Sequence, residues 1–177
     1  MEFHQEHMTT YRRRETREKA LQALYAHELS KDPITNVMDS VLGDLKEHRD
    51  EFEFARKLVM EVIAHQAEIE ALIREKVDHW EFNRIAVIDR MLLRMGICEL
   101  LYFEDIPPKV SINESIEIAK TFSTEKSGQF INGVLDSVLD ELKAKKTLHK
   151  TGRGLIDSSA GGERKPRPRQ DPAEDAE

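Results

Sequence analysis

The sequence predicts an all-α fold, a compact bundle of six or seven helices, and three observations carry that reading. Apolar residues recur at three- and four-residue spacing in nearly every segment between residues 12 and 142, the period of helices with one buried face. No stretch keeps the strict alternation of a half-buried strand. The segment 85–103 is apolar nearly all the way round a helical wheel, which places it among neighbours that surround it.

Taken in order, residues 1–10 (MEFHQEHMTT) keep no strong period and read as a flexible leader. From about residue 12 to 30, Ala20, Leu21, Leu24, Tyr25 and Leu29 form a stripe along a partly buried helix. Asp32-Pro33 reads as a cap followed by proline at the first helical position, opening a short helix with Ile34, Val37, Met38, Val41, Leu42 and Leu45 inward. From Phe52 to Val77 the period continues without Pro or Gly, which predicts one long helix bent near Gln66. The central helix 85–103 follows, and Pro107-Pro108 stops it, since proline cannot donate to the ladder and restricts the residue before it.

Ser111-Ile-Asn-Glu114 matches a capping box and predicts a helix from there through about Phe122, with Ile112, Ile116, Ala119 and Phe122 inward. Segment 123–128 reads as a turn. The last helix opens on Phe130 and lines up Ile131, Val134, Leu135, Val138, Leu139 and Leu142. Asn132-Gly133 is a hairpin dipeptide in other settings. The unbroken 3.6-residue period makes it helical here, at a cost of about 1 kcal/mol for Gly133 against Ala unless close packing needs the glycine. Residues 147–177 are rich in Gly, Pro, Ser and charge, and such a segment buries too little to offset its ordering entropy. It reads as a disordered tail whose removal leaves stability unchanged. Its basic half (Arg164, Lys165, Arg167, Arg169) and acidic end (Asp171, Glu174, Asp175, Glu177) partly cancel.

One domain over residues 11–146 accounts for the core, since 39% of the 177 residues are hydrophobic even though 34% are charged. The net charge of -7 argues against a grip on nucleic acid by bulk electrostatics, because that affinity comes from Lys and Arg displacing counterions. A nucleic-acid role therefore needs a local basic patch or a basic partner. Cys98 is the only cysteine and reads as a small buried residue, with no internal disulfide or cysteine zinc cluster. No apolar run approaches the roughly 18 residues of a membrane span, and the polar N-terminus has no signal-peptide core, so the expectation is a cytoplasmic protein with no membrane contact. There is no phosphate-binding Gly-rich loop, nucleophile elbow or HExxH motif. The histidines at 4, 7, 27, 48, 65, 79 and 149 are scattered, and the one-turn pair His4 and His7 in the leader reads as chance. Hence no catalytic residue, metal or cofactor is expected.

Two features rise above this background. Arg12, Arg13, Arg14 and Arg17 lead into the first helix, three of them continuing the face that Ala20, Leu21 and Leu24 bury. A positive cluster at a helix N-terminus opposes the macrodipole and adds nothing to local stability, which favours phosphate contact over a merely solvated turn, although Glu15 and Glu18 fit the latter. Phe130, at the margin of the last stripe, is either core packing or a platform for an unstacked base, worth about 1–3 kcal/mol. Lys126 and Gln129 stand near it for phosphate or base edge.

The segments RRRETREKALQALY, PPKVSINESIEIAKTFS and SGQFINGVLD together resemble the NusB family of bacterial antitermination factors over roughly residues 11–142. The resemblance implies an all-helical fold of two helical subdomains. It further implies binding to the boxA sequence of ribosomal RNA leaders as a heterodimer with NusE, a small-subunit ribosomal protein, in an antitermination complex with RNA polymerase. Carried over by motif, Arg13, Arg14, Arg17, Gln22, Tyr25 and Phe130 look like the RNA face, and Asp89 and Arg90 like part of the NusE-facing side. Glu15 interrupts a run that is often more densely basic in the family, in keeping with a basic partner supplying phosphate affinity. The resemblance also allows a homodimer. Two other readings stand beside it: a stand-alone relative of the NusB-like domain of ribosomal RNA methyltransferases, disfavoured by the missing Gly-rich Rossmann loop, and a helical protein-binding module whose arginines meet an acidic partner.

Overall fold

The computed structural model describes residues 3–77 and 81–156. Among them are seven α-helices and no strand: α1 Phe3–Ser30, α2 Ile34–Val41, α3 Arg49–Ala64, α4 Gln66–Lys76, α5 Val87–Tyr102, α6 Pro108–Phe122 and α7 Glu125–Ala144. Single 3-10 turns lie at Gly43–Leu45, Phe82–Arg84 and Gly152–Leu155.

The sequence places its most apolar segment in α5, and the fold is built round it. Every residue from Met91 to Leu100 is buried, and α5 packs against α1, α3, α4, α6 and α7. α1 gathers α2 and α3 on one side, while α6 and α7 pair closely on the other. These are the two helical subdomains, with α5 shared between them. At Gly96 an added Cβ would lie 2.9 Å from a Leu135 methyl and 3.1 Å from Ser115 Oγ. Three helices meet there because this residue has no side chain. The charge that α5 carries at Arg94 is buried but paired, with Glu70 of α4 and, at 3.8 Å, with Glu28 of α1.

Several element boundaries differ from the sequence expectation. α1 starts at Phe3, inside the segment read as a leader; no proline or glycine lies there to stop a helix. The long helix expected from Phe52 to Val77 is two helices broken at His65, whose φ of -112° and ψ of 18° leave the helical region. The break lets α3 and α4 each lay an apolar face on α5. Asp32 does not cap α2; the position before Ile34 is Pro33 and no side-chain cap bond forms.

The capping box expected at Ser111 is also corrected. α6 starts at Pro108, three residues earlier, and Ser111 Oγ donates to Glu99 Oε2 at 2.8 Å instead of serving its own helix. A true capping box occurs at Thr124 and Ser127, inside the segment read as a turn, so α7 opens five residues before Phe130.

The tail expected from residue 147 begins later. Leu148 packs on the core, Lys150 Nζ donates to the carbonyls of Glu99 (3.0 Å) and Phe103 (2.8 Å), and the Thr151 amide donates to Glu104 O at 2.9 Å. Residues 147–156 are thus a strap bonded to the carbonyls of Glu99 in the last turn of α5 and of Phe103 and Glu104 just beyond it. Burial pushes the Lys150 ammonium down to about 8 against the opposing charges of Glu99, Asp105 and Glu104. Gly154 fits so tightly that a Cβ would sit 2.0 Å from Glu104 O. The charged remainder of the expected tail, 157–177, lies outside the described residues.

Three stability measurements follow from this packing. Gly133 is helical, exposed and without neighbours within 4 Å of an added Cβ, so Gly133→Ala raises unfolding free energy by about 0.5–1 kcal/mol in urea titration. Gly96→Ala lowers it by about 1–3 kcal/mol through overpacking. Truncation after Lys146 removes the strap and lowers the melting temperature by roughly 2–8 °C; an unchanged value would show that the strap does not hold α5.

Candidate nucleic-acid interface

The four arginines of α1 enter different environments because successive helical residues point about 100° apart. Arg17 is turned into the core, 3% exposed. Its Nε donates to Glu99 Oε1 at 2.7 Å and its Nη2 to Glu99 Oε2 at 2.9 Å. Desolvation lowers the Arg17 pKa, but the charge and hydrogen bonds of Glu99 outweigh it and hold the group above its ordinary value. Arg17 is therefore removed from the expected RNA face, since its guanidinium is buried and its charge is already matched by the Glu99 carboxylate.

Arg14 makes a second bidentate pair, Nε and Nη2 to Glu114 Oε2 and Oε1, both at 2.9 Å. Its hydrogen bonds to Glu114 hold its pKa above the usual value. This pair is half open, with 35% of the Arg14 side chain exposed against 7% for Glu114. Arg13 lies over the Phe54 ring, 4.3 Å from its centroid. Arg12 is exposed, as are Gln22 and Tyr25 further along α1. Sequence reasoning missed Phe54, Glu99 and Glu114. Glu99 and Arg94 are the only charges in the apolar run 91–103, and a charge so placed signals a buried partner.

At the start of α7, Lys126 and Gln129 are exposed and Phe130 is half-buried against the core. Phe130 packs on the core with one side and meets solvent with the other. This end is fastened through Asp89, which accepts hydrogen bonds from Ser123 Oγ (2.6 Å) and Ser127 Oγ (2.8 Å). Asp89, expected on a partner-facing side, is buried at 7% exposure and occupied by those serines. Arg90 beside it is half-buried, 5.6 Å over the Phe82 ring, with Nε lacking a hydrogen-bond partner.

α6 stands between the arginine segment of α1 and the start of α7. Arg14 of α1 grips Glu114, whereas an added Cβ on Gly128 of α7 would meet Ile116 Cγ2 at 3.5 Å. Residues two apart on a helix point about 200° apart, so the arginine segment of α1 and the start of α7 lie on opposite flanks of α6. No hydrogen bond or ion pair joins residues 12–17 to 126–130 among the described residues. The sequence-expected site is thus two patches, each aromatic and basic, separated by one helix.

The architecture is all-helical among the described residues, with two exposed patches that are basic and aromatic. The NusB family model matches residues 14–140, and the chain belongs to the NusB family. A transcription antitermination protein NusB of Chloroherpeton thalassium is 46% identical over 157 residues, covering 86% of this chain and 72% of the relative. A NusB of Listeria monocytogenes is 43% identical over 75% of this chain and 99% of its own length. Among solved structures, NusB of T. maritima superposes with a TM-score of 0.69 at 35% identity, covering 76% of this chain and 95% of that one. A structure of antitermination factors NusB and NusE in complex with dsRNA gives 0.64 at 27% identity, over 74% of this chain and 98% of the other. No helix among the described residues is long and apolar enough to cross a membrane.

Removing one member of the buried pair leaves the other charged and unpaired. Arg17→Ala or Glu99→Gln accordingly lowers stability by about 3–5 kcal/mol in denaturant unfolding. The half-open pair behaves differently: Arg14→Ala costs no more than about 1–2 kcal/mol. Equal losses for the two arginines would contradict the burial difference.

Proposed function

We propose that this chain is a transcription antitermination factor that binds boxA-type single-stranded RNA of ribosomal RNA leaders together with NusE, and links that RNA to RNA polymerase in the bacterial cytoplasm. The observation that carries the reading is the division among the arginines. Arg14 and Arg17 are held by carboxylates, while Arg12 and Arg13, about ten residues into α1, pair with none among the described residues. They stand free for phosphate, and Lys126, Gln129 and Phe130 at the start of α7 supply a cation, an amide and a ring for bases. The solved complex of NusB and NusE with dsRNA, similar to this chain at 27% identity, supports the same pairing of partners.

The net charge of -7 sets the role of the protein partner. Two small basic patches on an acidic body give weak phosphate affinity by themselves, and a basic partner adds counterion release. Arg90, the part of the expected NusE-facing side that is not fully buried, belongs to the partner surface in this reading. Self-association over the α1 arginines would compete with RNA.

A fluorescence-anisotropy titration with boxA RNA, with and without NusE, tests the proposal. Binding is tighter with NusE. Phe130→Ala weakens it by about 5- to 150-fold, the equivalent of 1–3 kcal/mol of stacking. Arg12→Ala weakens it less and reduces the salt slope by about 0.7, as expected for one phosphate contact to a single strand. Indifference to RNA sequence, or to both substitutions, would defeat the reading.

A further inference from the structure

A cavity of about 300 Å³ opens between the arginine segment of α1, α3, the α5–α6 connection and the C-terminal strap. Phe54, Ile106, Pro107 and Val110 form its apolar wall, and Arg13 and Arg153 bring guanidinium groups to it from α1 and from the strap. Two other charges in the lining are already taken, Arg17 by Glu99 and Glu114 by Arg14. Asp105 is the one anion left against two cations. Neither Arg13 nor Arg153 makes an ion pair among the described residues.

We infer that this cavity seats one nucleotide of the bound single-stranded RNA, its base against the apolar wall and its phosphate between Arg13 and Arg153. The inference rests on the RNA-binding reading above and adds to it a residue beyond the part of the chain that the family model matches, 14–140. The chemistry fits this occupant. A flat apolar wall beside arginines takes a base face and a phosphate at once, and the arginine plane stacked on Phe54 at 4.3 Å is held ready for a second planar group. A carboxylate side chain would gain from the arginines but brings no planar apolar face to lie against the wall.

The strap presents Arg153 from a fixed backbone. On its N-terminal side Lys150 and Thr151 are bonded to carbonyls at the end of α5, and Gly152 adopts a φ of 51°, a left-handed conformation that suits glycine. On its C-terminal side Gly154 is pressed against Glu104 O, where no side chain fits. Fixing the backbone before the ligand arrives removes part of the ordering cost of binding.

The test uses the full chain with NusE and a labelled single-stranded boxA RNA. Arg153→Ala weakens binding about 3- to 10-fold and reduces the salt slope by about 0.7, while Arg153→Lys restores the slope. Truncation after Ile156 leaves the effect of Arg153→Ala in place, since the strap stays. In the unaltered chain, RNA carrying 4-thiouridine crosslinks on irradiation to the wall residues Phe54 or Val110, a readout that needs no substitution. If Phe130→Ala still weakens binding but Arg153→Ala changes neither affinity nor slope and no wall residue crosslinks, the cavity is not an RNA seat and the wider reading survives. If Arg153→Ala instead impairs capture of NusE and leaves RNA binding alone, the cavity is a protein contact and the inference fails. An unaltered protein that ignores the RNA overturns the wider reading and the cavity with it.

Discussion

A carboxylate in the middle of an apolar helix must be neutralised, and Glu99 is neutralised by parts from all over the chain. One oxygen receives Arg17 Nε and the other receives Arg17 Nη2 and Ser111 Oγ, while its backbone carbonyl receives Lys150. Desolvating each ion costs several kcal/mol, so the arrangement is tolerable only when all these donors are in place. The positions of α1, α6 and the strap relative to α5 are therefore tied to one residue. Apolar packing supplies most of the favourable free energy, but it is indifferent to small slides; the forked geometry of an arginine on a carboxylate is not.

The same logic operates at the other end of α5. Asp89, in its first turn where a negative charge suits the helix dipole, collects Ser123 and Ser127 and so fixes where α7 begins. One buried helix thus holds both patches, the arginine segment of α1 through Glu99 and the α7 start through Asp89. The arginine cluster divides accordingly. Arg17 positions the helix, Arg14 braces it against α6, and Arg12 and Arg13 are the two that the proposed function assigns to RNA.

Much of this was legible in the sequence, for a physical reason: helical periodicity is local, and the all-round apolar character of 85–103 could mean only a surrounded helix. What escaped was long-range. Ser111 and Glu114 have the spacing of a capping box, yet Glu114 meets Arg14, 100 residues away in sequence, and Ser111 meets Glu99. A local rule cannot weigh a partner that only folding delivers. The strap escaped because its attachment uses little apolar surface. Leu148 is its one packed aliphatic residue, and the rest is hydrogen bonding to helix-end carbonyls and the bare Cα of Gly154, none of which hydrophobic patterning records. Asp89 and Arg17 were picked out by motif, but their side chains position helices.

The placement of α6 between the two patches has a consequence for what the surface can distinguish. A helix with its side chains is about 10–12 Å thick, so in the proposed function α6 acts as a caliper set between two weak RNA contact points. A mononucleotide can touch one jaw at a time. An oligomer that reaches across binds the second jaw from a tethered position, and the local concentration created by the tether multiplies two modest affinities. Discrimination between polymer and monomer is then a matter of span, and the abundant free nucleotides of a cell compete poorly without any contact built to exclude them.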